Sequence, residues 1–214
     1  MIHLEKNHLF VITVLAAAIG LSTQANATDF VEGKDYTVLK NPDQINNSGD
    51  TIIVREFFWY GCPHCYHLES HMDKWAKNKP NDVAFFLTPA ALNPVWETSA
   101  RGFYAAQLMG YQGKTHHKLF NAVMEKGQKN LAGTNKGALI NWYTNQGLDK
   151  EKFNNLYDSF AVNTKIARSN TAAKRYGVTG TPAVIVHGKY MVQGSDEKVP
   201  QVVNYLVDKV RAEK

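Results

Sequence analysis

At 214 residues, with 44% hydrophobic and 20% charged side chains, the chain can bury a core without cross-links, which sets aside a disordered or disulfide-stapled architecture. The formal net charge of +5 is dispersed among acids, and its richest basic stretches, residues 74–79 and Lys174-Arg175, lack the motif context of a nucleic-acid module. No nucleic-acid partner is expected, and the only two cysteines, Cys62 and Cys65, lie too close together to staple a fold.

Residues 1–27 read as a signal peptide. A weakly basic start is followed by thirteen residues, Leu9 to Leu21, in which only Thr13 is polar, and Ala25-Asn26-Ala27 matches an A-x-A cleavage site. The apolar run falls short of the roughly 20 residues a spanning helix needs. The mature chain then begins at Thr28 and has 187 residues.

Thr51 to Tyr60, TIIVREFFWY, is β-branched and aromatic behind the turn-forming Asn46 to Asp50, and predicts a buried strand. It ends at Gly61. Pro63 suits a first helical turn, and Leu68, Met72 and Trp75 carry helical spacing to about Asn78. Val83 to Leu87 predicts a second strand. From Trp96 to Tyr176 apolar residues recur every three or four positions, predicting helices over 96–110, 115–127, 135–146, 150–161 and 164–176. A hairpin, 183–186 with 190–192, and an amphipathic helix over 198–211 close the chain. The expectation is an α/β domain formed by 28–92 and 168–214, interrupted by an all-helical insertion at 93–167.

Cys62-Pro63-His64-Cys65 stands where the strand hands over to the helix. Unpaired N–H groups and the positive end of the helix dipole favour an anion there, so Cys62 is expected to be an exposed, readily ionised thiol and Cys65, one turn further, a shielded one. An exposed thiolate that attacks and a buried partner that resolves are what dithiol exchange requires. His64, between them, can add a hydrogen bond or, when protonated, a charge that stabilises the thiolate. A zinc site would have at most Cys62, Cys65 and His67, and covalent haem attachment fails because Tyr66 stands where a histidine is needed. No metal or cofactor is expected. His116 and His117 are expected at the surface. Trp59 and Tyr60 admit two readings, a surface that holds polypeptide or core filling at a strand end.

The stretches EFFWYGCPHCYHLE (Glu56 to Glu69) and GVTGTPAVIV (Gly177 to Val186), with the helical block between them, resemble the DsbA family, periplasmic dithiol oxidases of thioredoxin fold, over nearly the whole mature chain. The resemblance implies that the Cys62-Cys65 disulfide is donated to folding exported proteins. It also implies re-oxidation by a DsbB-like, quinone-linked membrane oxidase, a periplasmic location and a monomer. Glu56 matches the family's buried acid, implying proton transfer at the dithiol. Read alone it is a carboxylate in an apolar strand, the alternative being an exposed edge position paired with Arg55, itself a departure from the apolar residue expected. Thr181-Pro182 matches the family's cis-proline loop, which implies substrate-binding backbone, although the residue before the proline is often Val in the family. Two other functions stay in view: a disulfide isomerase or reductase of the same fold, and a periplasmic holdase. Only 34 residues separate Ala27 from Cys62, leaving no room for the N-terminal dimerisation domain that such isomerases carry.

Overall fold

The structure, a computed structural model, describes residues 30–42 and 51–213. The expected signal peptide lies outside the described residues. In chain order the elements are β1 (Thr37–Val38), β2 (Ile52–Phe58), α1 (Pro63–Asn78), β3 (Val83–Pro89), α2 (Pro94–Leu108), α3 (Gln112–Met124), a 3-10 turn (Lys129–Leu131), α4 (Lys136–Asn145), α5 (Lys150–Tyr157), α6 (Phe160–Tyr176), β4 (Ala183–Val186), β5 (Tyr190–Val192) and α7 (Lys198–Ala212). The order is that of the expected α/β domain, with a block of helices between β3 and β4. Among the described residues, no helix is long and apolar enough to cross a membrane.

One five-stranded sheet runs in the order β1-β5-β4-β2-β3. The crossover through α1 makes β3 parallel to β2, while the tight 187–189 turn makes β4 and β5 antiparallel. Strand β2 is interior, pairing with β3 and β4, and its side chains divide between the two faces. Ile52 and Val54 pack with Leu68, Met72 and Trp75 of α1 and with the valine stripe of α7, Val199, Val202, Val203 and Val207. Phe57 points the other way, onto Ala173 and Tyr176 of α6. Each such fully buried side chain contributes roughly 1.5–3 kcal/mol, which holds the end of β2, and the cysteines after it, in a fixed place.

The insertion has its own core, in which Phe103, Leu119, Phe120, Leu139, Tyr143 and Phe153 pack around Phe58 and Tyr60 from the strand end. Helix α6 serves both parts: Val162 and Ile166 join the insertion core, and Ala173 and Tyr176 join the sheet. The expected 167/168 boundary therefore falls inside one helix. Sequence periodicity starts α6 at 164, but its first residue is Phe160, because the Ser159 side chain accepts from the Val162 N–H and caps the helix there. The helix ends at Gly177, in the left-handed conformation at φ 67°. Strand β1 was not expected: it has two residues, both exposed, and so carries no alternation.

Candidate active site

The strand end, the entry of α1 and the loop before β4 meet at one point. Cys62 is the N-cap of α1, with extended backbone, and its Sγ accepts from the Cys65 N–H at 3.4 Å. In the dithiol form seen here the Cys62 thiol donates to the Thr181 carbonyl at 3.3 Å, and the Thr181–Pro182 peptide is cis. Cys62, Cys65, Thr181 and Pro182 thus lie together.

Cys65 is fully buried, but Cys62 is only 7% exposed, less open than its expected role suggested. The cause is geometric: its sulfur folds back over the first helical turn and the Thr181 carbonyl lies against it. Hydrogen bonding from the Cys65 thiol holds the Cys62 thiol down at about 5. The Cys65 backbone N–H, Thr181 and the His64 backbone N–H help, and burial opposes them. Thr181 Oγ1 has no hydrogen-bond partner among the described residues, so once Cys62 ionises that hydroxyl can donate to the thiolate. Burial, reinforced by the neighbouring Cys62, pushes the Cys65 thiol far up. The two sulfurs are strongly unlike, as dithiol exchange requires.

His64 is exposed. The part of it that supports the Cys62 thiolate is its backbone N–H. Glu56 is buried on the α1-facing side of β2, flanked in register by Leu87 and Val184, with Oε2 unpartnered among the described residues. Burial, with the carboxyl of Glu69 one turn beyond Cys65, pushes its pKa up to about 8. The edge position paired with Arg55 does not occur. Successive residues of a strand face opposite ways, and Arg55 Nη1 instead donates to Thr88 Oγ1 at 2.7 Å.

Trp59 and Tyr60 divide the two readings between them. Tyr60 is core, its hydroxyl 2.8 Å from His116 Nδ1. Trp59 is half-buried, stacked on Trp96 with ring centroids 4.9 Å apart, its Nε1 donating to the Ala132 carbonyl at 3.3 Å. Beside Cys62 it lines an apolar cleft with Pro63, Val95, Val123, Met124 and Ala132. Gly61 is required here, since a Cβ would lie 2.2 Å from the Trp59 ring.

His116 corrects the surface expectation. It is buried among Phe58, Phe103 and Phe120, whereas His117, the next residue on α3, is exposed and pairs with Glu69 at 2.8 Å. Neighbours on a helix point about 100° apart, so an identical pair can divide between core and solvent. Burial, then the nearby His117, holds the His116 imidazole down at about 3. The unfolded chain binds a proton below about 6.5 and the folded one does not. The folded state should therefore lose about 2 kcal/mol from this residue between pH 6.5 and pH 5. Urea unfolding of the parent and of His116→Gln at pH 7 and pH 5 tests this: the variant should lose about 2 kcal/mol less on acidification, and equal losses would show that His116 takes up its proton in the fold.

A profile for the DSBA-like thioredoxin domain matches residues 53–206. The thiol:disulfide interchange protein DsbA of Pseudomonas syringae pv. tomato is 38% identical over 203 residues, 93% of this chain and 92% of that protein. That of Burkholderia cepacia is 35% identical over 204 residues, 94% of each. The crystal structure of Pseudomonas aeruginosa DsbA superposes with a TM-score of 0.77 at 33% identity, covering 86% of this chain and 96% of that one. The oxidoreductase DsbA of Xylella fastidiosa does so at 0.77 and 31%, covering 85% and 98%.

Proposed function

This chain belongs to the DsbA-like thioredoxin family and is a thiol:disulfide oxidoreductase of the disulfide-donating kind, and from that premise we propose that Cys62 is its attacked sulfur, Cys65 its resolving sulfur, and exported polypeptides folding in the periplasm its clients. The observation that carries the assignment of roles is the Cys62 sulfur at the α1 entry, with the Cys65 N–H 3.4 Å away and its thiol held down at about 5. The pattern of residues 1–27 supports export.

In the oxidised protein a client thiolate attacks Cys62 Sγ. The Cys62–Cys65 bond breaks, its electron pair goes to Cys65 Sγ, and the client is left joined to Cys62. A thiolate at the fully buried Cys65 is unfavourable and takes a proton. Glu56, which burial keeps protonated up to about pH 8, is the donor in this reading. A second client thiolate then attacks the client sulfur of the mixed disulfide and expels Cys62 as a thiolate. The low pKa of Cys62 makes it a good leaving group and its disulfide an oxidant. Two electrons pass from client to protein, and a DsbB-like, quinone-linked membrane oxidase removes them.

The apolar cleft at Trp59 and Val95 gives an unfolded chain a surface to rest on, and the backbone of the Thr181-Pro182 loop offers it sequence-independent hydrogen bonds. The same cleft favours a second reading, a holdase. Oxidised protein mixed with a reduced, unfolded client should consume two client thiols per protein molecule. Reduced protein alkylated at both cysteines should consume none and should lose its benefit to client folding, whereas a holdase would keep that benefit in full.

A further inference from the structure

We propose that the sheet face away from α1 carries a binding site for a small, multiply charged oxyanion, of the phosphate or polycarboxylate type, centred on Arg55, Lys165 and Arg168. The starting point is Arg55, a cation placed on an interior strand where an apolar residue was expected. Its guanidinium is half-buried, 5.4 Å from the Phe86 ring centroid, and its hydrogen-bond partner is the neutral Thr88 hydroxyl. Withdrawing a cation from water without a counter-charge is costly, and proteins ordinarily pair it.

Among the described residues the fold supplies no counter-charge: Arg55 opens into a cleft between β3, α2 and α6 whose other charged linings are Lys165 and Arg168, and no described carboxylate lines it. Lys165 Nζ lies 3.0 Å from Gln107 Oε1 and 5.6 Å from the Tyr104 ring centroid, so it too faces neutral groups. None of the three cations makes an ion pair among the described residues. Three positive charges therefore converge on one concavity against their mutual repulsion, and an anion relieves that repulsion and completes the hydrogen bonding.

The chemistry of the walls narrows the ligand. Two guanidinium forks can donate in pairs to carboxylate or phosphate oxygens, and the Lys165 ammonium adds a third charge. Thr88 accepts from Arg55 through its oxygen and keeps its own proton to donate. The cleft holds about 220 Å³, below the ~300–1,000 Å³ of pockets for drug-sized ligands, so it suits a small anion rather than a nucleotide or a peptide. It lies on the α6 side of β2, separated from the cysteines by the strand end packed with Phe57 and Phe58.

Titration calorimetry on the oxidised protein in dilute chloride buffer, with citrate and inorganic pyrophosphate as separate probes at matched ionic strength, tests the site. One-to-one binding on the order of 1 mM or tighter is expected for at least one probe, and the tighter of the two identifies the carboxylate or the phosphate class. The double variant Lys165→Gln with Arg168→Gln, both on the surface helix α6, should weaken it at least about tenfold while client oxidation stays at the parent rate. Arg55→Gln should weaken it likewise. No saturable heat with either probe, or equal affinity in parent and variants, would overturn the proposal.

Discussion

Replacing Cys62 with serine should reduce disulfide transfer to the uncatalysed background, while replacing Cys65 should leave the protein able to capture a single-cysteine client but unable to release it. The two cysteines are interchangeable in composition and opposite in setting. Cys62 caps the helix entry and keeps 7% exposure, whereas Cys65, in the first turn of α1, has none. With Cys65→Ser, Cys62 attacks a client whose single thiol is activated as a mixed disulfide with a small thiol; the small thiol leaves, and the client–Cys62 disulfide accumulates because neither Cys65 nor a second client thiol is there to resolve it. With Cys62→Ser, the remaining thiol is both shielded and pushed far up by burial, so neither transfer nor trapping should occur. Non-reducing gels of each variant with one client, read alongside the loss of client thiols, distinguish these outcomes. Equal trapping by both variants would remove the assignment of separate roles.

Glu56→Gln should stabilise the reduced protein by about 3 kcal/mol at pH 7. The folded pKa of Glu56 is raised to about 8 from an unfolded value of 4.5. Below pH 4.5 both states hold the proton and the residue costs nothing. Between 4.5 and 8 the unfolded chain releases the proton and the folded chain keeps it, so the cost grows by 1.36 kcal/mol per pH unit and levels off above 8. Glutamine has nearly the shape of the protonated acid and removes this linkage. The gain should therefore shrink to near zero at pH 4.5. The same variant should be slower in client oxidation, because the proton for Cys65 must then come from solvent. Urea denaturation at pH 7 and pH 4.5 reads the first effect and client oxidation the second. A gain in stability without loss of rate would mean that Glu56 is a buried carboxyl with no part in the chemistry. An unchanged stability would mean that it is ionised in the fold.

Much of this arrangement was legible in the residues themselves, and the omissions have physical causes. The β2–α1 unit announces itself because a buried interior strand must be apolar along its length and Pro63 is favoured in a first helical turn. The place of Cys62 follows from that unit alone. That Thr181 and Pro182 lie against Cys62 does not: 119 residues separate Thr181 from Cys62, and only the family resemblance brought them together. Burial of His116, and the choice between the two readings of Tyr60, was hidden because it depends on α3 packing over the strand end, a tertiary event with no local signal. The start of α6 was readable in Ser159, a helix-capping residue, but the fully solvent-facing Phe160 after it, 86% exposed, breaks the apolar spacing that defines the rest of the helix. Arg55 was visible as an anomaly, and its cleft was not, since Lys165 and Arg168 reach it from a helix more than a hundred residues later.

The separation of the two sulfurs is tested most directly by the pH profile of alkylation in the reduced native protein. Brief iodoacetamide pulses from pH 3 to pH 9, quenched and mapped by mass, should show modification confined to Cys62, with a rate that rises through a midpoint near 5 and then levels off. Cys65 should remain unmodified until the protein is unfolded. A midpoint near the ordinary thiol value of about 8.5, or comparable labelling of both cysteines, would contradict the account.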